Sequence, residues 1–231
     1  MKRTTLSILA MMAAFTLMIQ ACTEAPRESG KIPVENASLT TDVYASAPAS
    51  AQETCPIKVG SQLPDLTYQT ADGSGFNLLE SVKKKPTILI YYRGGWCPYC
   101  NMHLAKLNEA EAELLELGYQ LLAVSPDRPE ELQKSIEKHS LKYTLLSDSE
   151  MTNALELGIA FQVEEELVAK YKNSYNIDLE KSSGATHHLL PVPAVFVLDT
   201  EGLIRFSYVN PNYSTRVDGD VIMAAAKAAL K

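Results

Sequence analysis

Between Thr87 and Leu107 the chain changes character in an order that limits what it can fold into. Thr87-Ile88-Leu89-Ile90-Tyr91-Tyr92 is a continuous apolar, β-prone run, the pattern of a strand buried on both faces. Arg93-Gly94-Gly95-Trp96 turns the chain, and Cys97-Pro98-Tyr99-Cys100 leads into Leu104, Leu107, Leu114 and Leu115 at helical spacing. Buried strand, glycine turn and two cysteines at a helix start make one unit of an α/β sheet with a reactive junction.

Cysteines at i and i+3 share a helix face, with Cβ atoms about 5–6 Å apart, so closing a disulfide needs only modest adjustment. Pro98 suits the first helical position, where its missing N–H is no loss. Cys97 would then lie at the helix N-terminus, where free N–H groups favour thiolate over thiol. It is the predicted nucleophile, with Cys100 resolving the mixed disulfide. Arg93 either adds cationic stabilisation or is a solvated charge at the strand end. A reading from another class is a copper- or zinc-binding delivery protein. A structural zinc site generally takes four ligands and no second Cys-x-x-Cys exists, so His187, His188 and Cys55 would have to complete the set. Cys55 otherwise reads as an inert thiol, a second resolving cysteine or a partner-linking one.

A net charge of −7 over 231 residues with no basic run argues against nucleic acid and anionic membrane surfaces as partners. Residues 1–22 read as an export signal: Lys2 and Arg3, the apolar run Leu6 to Ile19, then small Ala21. Ile19-Gln20-Ala21-Cys22 is similar to the lipobox of bacterial lipoproteins. That predicts lipidation of Cys22 and a lipid-anchored protein facing the periplasm or cell exterior. Residues 23–54, rich in Ala, Ser, Thr, Pro and acidic side chains, are expected to form a flexible tether. Residues 55–231 form the predicted domain.

Within it, Leu66 to Tyr68 and Phe76 to Leu78 flank the turn Ala71 to Gly75. Strands are predicted over Gln120 to Val124 and Tyr143 to Leu146; Ser125 to Pro129 opens a second helix through about His139, and Met151 to Tyr171 is helical, broken near Gln162. Asn173 to Leu190 is poorly patterned. Val195 to Leu198 and Ile204 to Tyr208 form a hairpin before a closing helix, Val221 to Leu230. Strand–helix units followed by a hairpin and a helix predict a thioredoxin-like α/β fold. Its central sheet is mostly parallel with an antiparallel C-terminal hairpin, and helices cover both faces.

Tyr91 to Cys100 resembles the peroxiredoxin-like group of the alkyl hydroperoxide reductase/thiol-specific antioxidant (AhpC/TSA) superfamily. Val59 to Leu66, Leu190 to Asp199 and Tyr208 to Tyr213 share the likeness, which covers Pro56 to Lys231. It implies a thiol-dependent antioxidant oxidoreductase that cycles Cys97 and Cys100 between dithiol and disulfide. The implied substrates are hydroperoxides or disulfides, the implied reductant a thioredoxin-like or other dithiol, and no metal, flavin or nucleotide is required. In that family a proline, a threonine three residues before the attacking cysteine and a distant arginine surround the thiolate. Here Cys100 falls at the attacking position, Cys97 replaces the threonine, Arg93 the proline and Pro193 the arginine. Two of these departures resemble thioredoxins, which carry a cysteine at the first place and a cis-proline at the last, so Pro193 is expected to be cis. Trp96, Pro98 and Tyr99 complete the expected junction. Two orders of attack remain open: peroxide at Cys100 with Cys97 resolving, or exchange that starts at Cys97.

Overall fold

The structure, a computed structural model, describes residues 44–230. The chain divides into units of residues 1–34 and 35–231. The expected export signal and the expected lipidation of Cys22 fall on residues outside the described ones.

Strands β1 (Thr67–Thr70), β2 (Gly75–Asn77), β3 (Thr87–Tyr91), β4 (Gln120–Ser125), β5 (Thr144–Ser147), β8 (Ala194–Leu198) and β9 (Ile204–Val209) form one sheet in the order β2-β1-β5-β4-β3-β8-β9. β3, β4 and β5 are parallel, while β8 returns antiparallel beside β3 and pairs with β9 as the hairpin. Every residue of β3 is buried, which its unbroken apolar sequence requires. Successive side chains alternate between faces. Ile88 and Ile90 join a core with helices α2 (Pro98–Glu116), α3 (Pro129–His139) and α7 (Gly219–Ala229). Leu89 and Tyr91 join a second core with α1 (Leu78–Val82) and α4 (Thr152–Glu156). Across α2, Cys100, His103, Leu104, Leu107, Glu111 and Leu114 form the buried stripe, while Leu115, apolar and at helical spacing with them, is exposed.

The helix expected over Met151 to Tyr171 is interrupted by a strand. After α4 the chain passes through Gly158, at φ 69°, into β6 (Ala160–Gln162), and α5 (Glu165–Tyr175) follows. A Cβ on Gly158 would lie 2.0 Å from the Cys55 carbonyl oxygen, so the turn admits only glycine. β6 pairs antiparallel with β7 (Leu189–Pro191) in a separate two-stranded sheet. The poorly patterned stretch before β7 holds the short helix α6 (Leu179–Ser183), capped by Asp178, which accepts from Lys181 N at 3.0 Å.

The tether expected over residues 23–54 lies outside the described residues up to 43, and from Tyr44 onward the chain is packed instead. The Tyr44 hydroxyl donates to Glu150 at 3.0 Å and its ring lies 5.4 Å from that of His187. The Pro48 carbonyl accepts from Gln162 N at 2.8 Å. One aromatic ring and backbone groups do this anchoring, and composition does not register them.

The peptide bond before Pro193 is trans, contrary to the expected cis isomer; no described residue has a cis bond. Val192 N is bonded to Ile159 O at 2.7 Å, and Ala194 already pairs with Tyr91 and Val209. An extended link therefore carries the chain from the small sheet into β8.

Candidate active site

β3 delivers the chain to the junction, and the glycines let it turn. Gly94 has φ 141°, and a Cβ there would strike the Trp96 indole at 2.4 Å. A Cβ on Gly95 would meet Ser135 Oγ at 2.1 Å, so a side chain there would have to displace the serine hydroxyl, whereas Gly94 also needs the backbone freedom of glycine. Gly95 N donates to Asp127 Oδ2 at 2.7 Å, and Asn101 Nδ2 donates back to the Gly95 carbonyl at 2.9 Å. Asp127 also accepts from Ser125 and Ser182. Its burial pushes the carboxyl pKa up, opposed by those three hydrogen bonds.

Cys97 is the N-cap of α2 and Pro98 the first helical residue. The two sulfurs lie 2.6 Å apart as free thiols, and Cys97 Sγ accepts from both Cys100 Sγ–H and Cys100 N, the latter at 3.4 Å. Donation from the Cys100 thiol is the main reason the Cys97 pKa falls to about 6. The Cys100 backbone N–H, Arg93 and Arg216 add to it against the opposing effect of burial. Cys100 moves the other way: burial raises its thiol pKa well above the usual value, and its neighbour Cys97 raises it further. The two shifts run in opposite directions, so ionisation of the pair is favoured at Cys97 and opposed at Cys100.

Arg93 is not a solvated strand-end charge. It is 5% exposed, with its guanidinium 4.3 Å from the Tyr213 ring centroid, 5.2 Å from Trp96 and 5.7 Å from Tyr171, and it donates to the Tyr171 hydroxyl. Trp96 and Tyr171 lie 5.9 Å apart, and Tyr99, exposed beside Pro98, meets Tyr213 edge-on at 5.8 Å. Pro193 is buried, close to His103, Tyr208 and Arg216. Burial, Arg216 and Lys106 lower the His103 pKa to about 4, so it is neutral at pH 7.

Arg216 was not anticipated. It stands on the loop between β9 and α7, with Nη2 3.3 Å from Cys100 Sγ. Its Nη1 donates to the carbonyls of Tyr213 and Thr215. A guanidinium therefore reaches the cysteine pair although position 193 holds proline. The one sequence signal was its place three residues beyond the matched segment Tyr208 to Tyr213.

His187 and His188 do not join the cysteines. Ser149 O and Leu189 N engage the two ring nitrogens of His187, and His188 Nε2 pairs with Glu180 at 2.9 Å. Cys55 is exposed, on the segment that leads into the domain.

The family model described as the AhpC/TSA family matches residues 59–207. Over 104 residues the chain is 33% identical to a bcp-named peroxiredoxin of Haemophilus influenzae, a match covering 45% of this chain and 66% of that protein, just under two thirds. A bcp-named relative in Coxiella burnetii is 28% identical over 165 residues, covering 71% of this chain and 94% of its own. Among solved structures, peroxidoxin BcpB of Mycobacterium tuberculosis superposes with a TM-score of 0.58 at 19% identity, over 74% of this chain and 97% of that one. Peroxiredoxin Q of Xanthomonas campestris gives 0.58 at 19%, over 75% and 99%. At such identities the structural likeness speaks for the fold.

Proposed function

The chain belongs to the AhpC/TSA family, and from that premise we propose that it is a thiol-dependent peroxidase cycling Cys97 and Cys100 between dithiol and disulfide. The observation that carries this reading is the pair of free sulfurs 2.6 Å apart at the start of α2, one of them favoured as thiolate. A thiolate attacks the peroxide, its sulfenic acid is closed by the neighbouring thiol, and the hydroperoxide leaves as alcohol and water. The two electrons come from the dithiol, and an external dithiol of the thioredoxin type restores it. The test is hydroperoxide consumption with a dithiol reductant supplied. Wild type is expected to turn over continuously, and Cys97→Ser and Cys100→Ser each to lose turnover. A wild-type protein that consumes no hydroperoxide refutes the reading.

The composition of residues 1–22 supports export and a lipid anchor on Cys22 as the setting for this activity. Metabolic labelling with a fatty acid should mark the wild-type chain in the membrane fraction and not Cys22→Ala. Equal labelling of the two chains, or none, would remove the anchor.

A further inference from the structure

Motif position and site geometry disagree about which sulfur leads. By the family likeness Cys100 is the attacking residue, yet both of its donors, N–H and S–H, are directed at Cys97 Sγ. Arg216 meanwhile touches Cys100, from a loop that the motif does not include. Nη1 of Arg216 is tied to two backbone carbonyls, so the guanidinium is held in place by its own loop.

We infer that in this chain Cys97 attacks the peroxide and Cys100 resolves, with Arg216 as the group that stabilises the Cys100 thiolate for that second step. The inference rests on the peroxidase reading above. In the first step Cys97 S⁻ forms an S–O bond as the O–O bond breaks. The sulfur is oxidised to sulfenic acid, and the departing alkoxide takes a proton from solvent. In the second step Cys100 S⁻ attacks the Cys97 sulfur, an S–S bond forms, and the hydroxide leaves protonated as water. An external dithiol then reduces the disulfide and is itself oxidised.

The arrangement times the second sulfur. Before the first step the negative charge on Cys97 opposes ionisation of Cys100. Once Cys97 is a neutral sulfenic acid that opposition is gone, while the Arg216 contact remains. The other groups facing Cys100 are Tyr92, His103 on its own helix and the Arg93 backbone. With His103 neutral and Tyr92 held protonated by burial, neither supplies a competing charge near pH 7. Arg216 is thus a positioning and charge-stabilising residue for resolution.

The test separates the two steps in the full-length protein. Each variant receives one equivalent of hydrogen peroxide, and a sulfenic acid trap is read by peptide mass spectrometry. Cys100→Ser is expected to consume its equivalent and carry the trap on Cys97, and Cys97→Ser to show neither. Arg216→Met should slow Cys97–Cys100 disulfide formation about tenfold and move its pH profile up by about one unit, the size expected for losing one charge-assisted hydrogen bond. Sulfenic acid formation should change by no more than about twofold in that variant, because donation from Cys100 is the first cause favouring the Cys97 thiolate and Arg216 the last. That first step also shows the variant to be folded, and Arg216→Lys should recover part of the closure rate. Trapping on Cys100 in the Cys97→Ser protein, with Cys100→Ser inert, would overturn the order of attack and leave the peroxidase reading intact. An unchanged closure rate and pH profile in Arg216→Met would remove Arg216. Wild type inert towards peroxide would overturn this inference and the peroxidase reading together.

Discussion

A sulfur that is 1% exposed would ordinarily be a neutral thiol, because burial penalises charge. Cys97 escapes this by gathering donors: the Cys100 thiol first, then the Cys100 backbone N–H, then the more distant charges of Arg93 and Arg216. The order of those causes makes a prediction. Alkylation of the reduced protein should follow a midpoint of about 6 and fall away below it, since only the thiolate reacts. Cys100→Ala should raise that midpoint most, and Arg93→Gln by less. Peptide mass spectrometry after timed iodoacetamide pulses across pH measures both, and a larger shift in the arginine variant would mean the cause is misassigned. Cys97 could be read from sequence as an N-cap because spacing and Pro98 are local signals. Arg216 could not, because what brings it to Cys100 is the packing of a loop 116 residues further along the chain.

Among the elements, α2 and β3 were legible because each carries a strong period, a single apolar stripe in one and an unbroken apolar run in the other. β6 is only three residues long and shows no strand period, so its pairing with β7 had to come from tertiary contact. The start of α4 carries a second hidden feature. Asp148, buried at the end of β5, accepts from Ala154 N at 2.8 Å and Asn153 N at 3.3 Å. Burial nevertheless raises its pKa to about 7 from 3.8, the backbone hydrogen bonds opposing. A carboxyl whose folded pKa lies above its unfolded value takes up a proton on folding. Its contribution is therefore full below the unfolded pKa and is lost as pH rises through about 7. Asp148→Asn is expected to flatten the fall in thermal unfolding midpoint between those two values. An unchanged pH slope in that variant would show that Asp148 is not its source.

At the scale of the molecule, the sheet separates two cores, and both cysteines lie in the one shared by Ile88, Ile90, α2 and α7. That layering followed from the succession of apolar strands and amphipathic helices, which fixes which faces must be covered. What lay beyond the sequence was the traffic across the site: the aromatic ring set around Arg93, the loop bringing Arg216, and the trans link through Pro193. The hydrogen bond between the two sulfurs has a further consequence. It exists only while Cys100 carries its proton, so this stabilisation belongs to the dithiol and vanishes when the S–S bond closes. Stabilising the reduced member of a redox couple moves its reduction potential upward. The disulfide form of the couple is accordingly the more easily reduced, and an external dithiol needs less driving force to open it than a pair without that contact would demand.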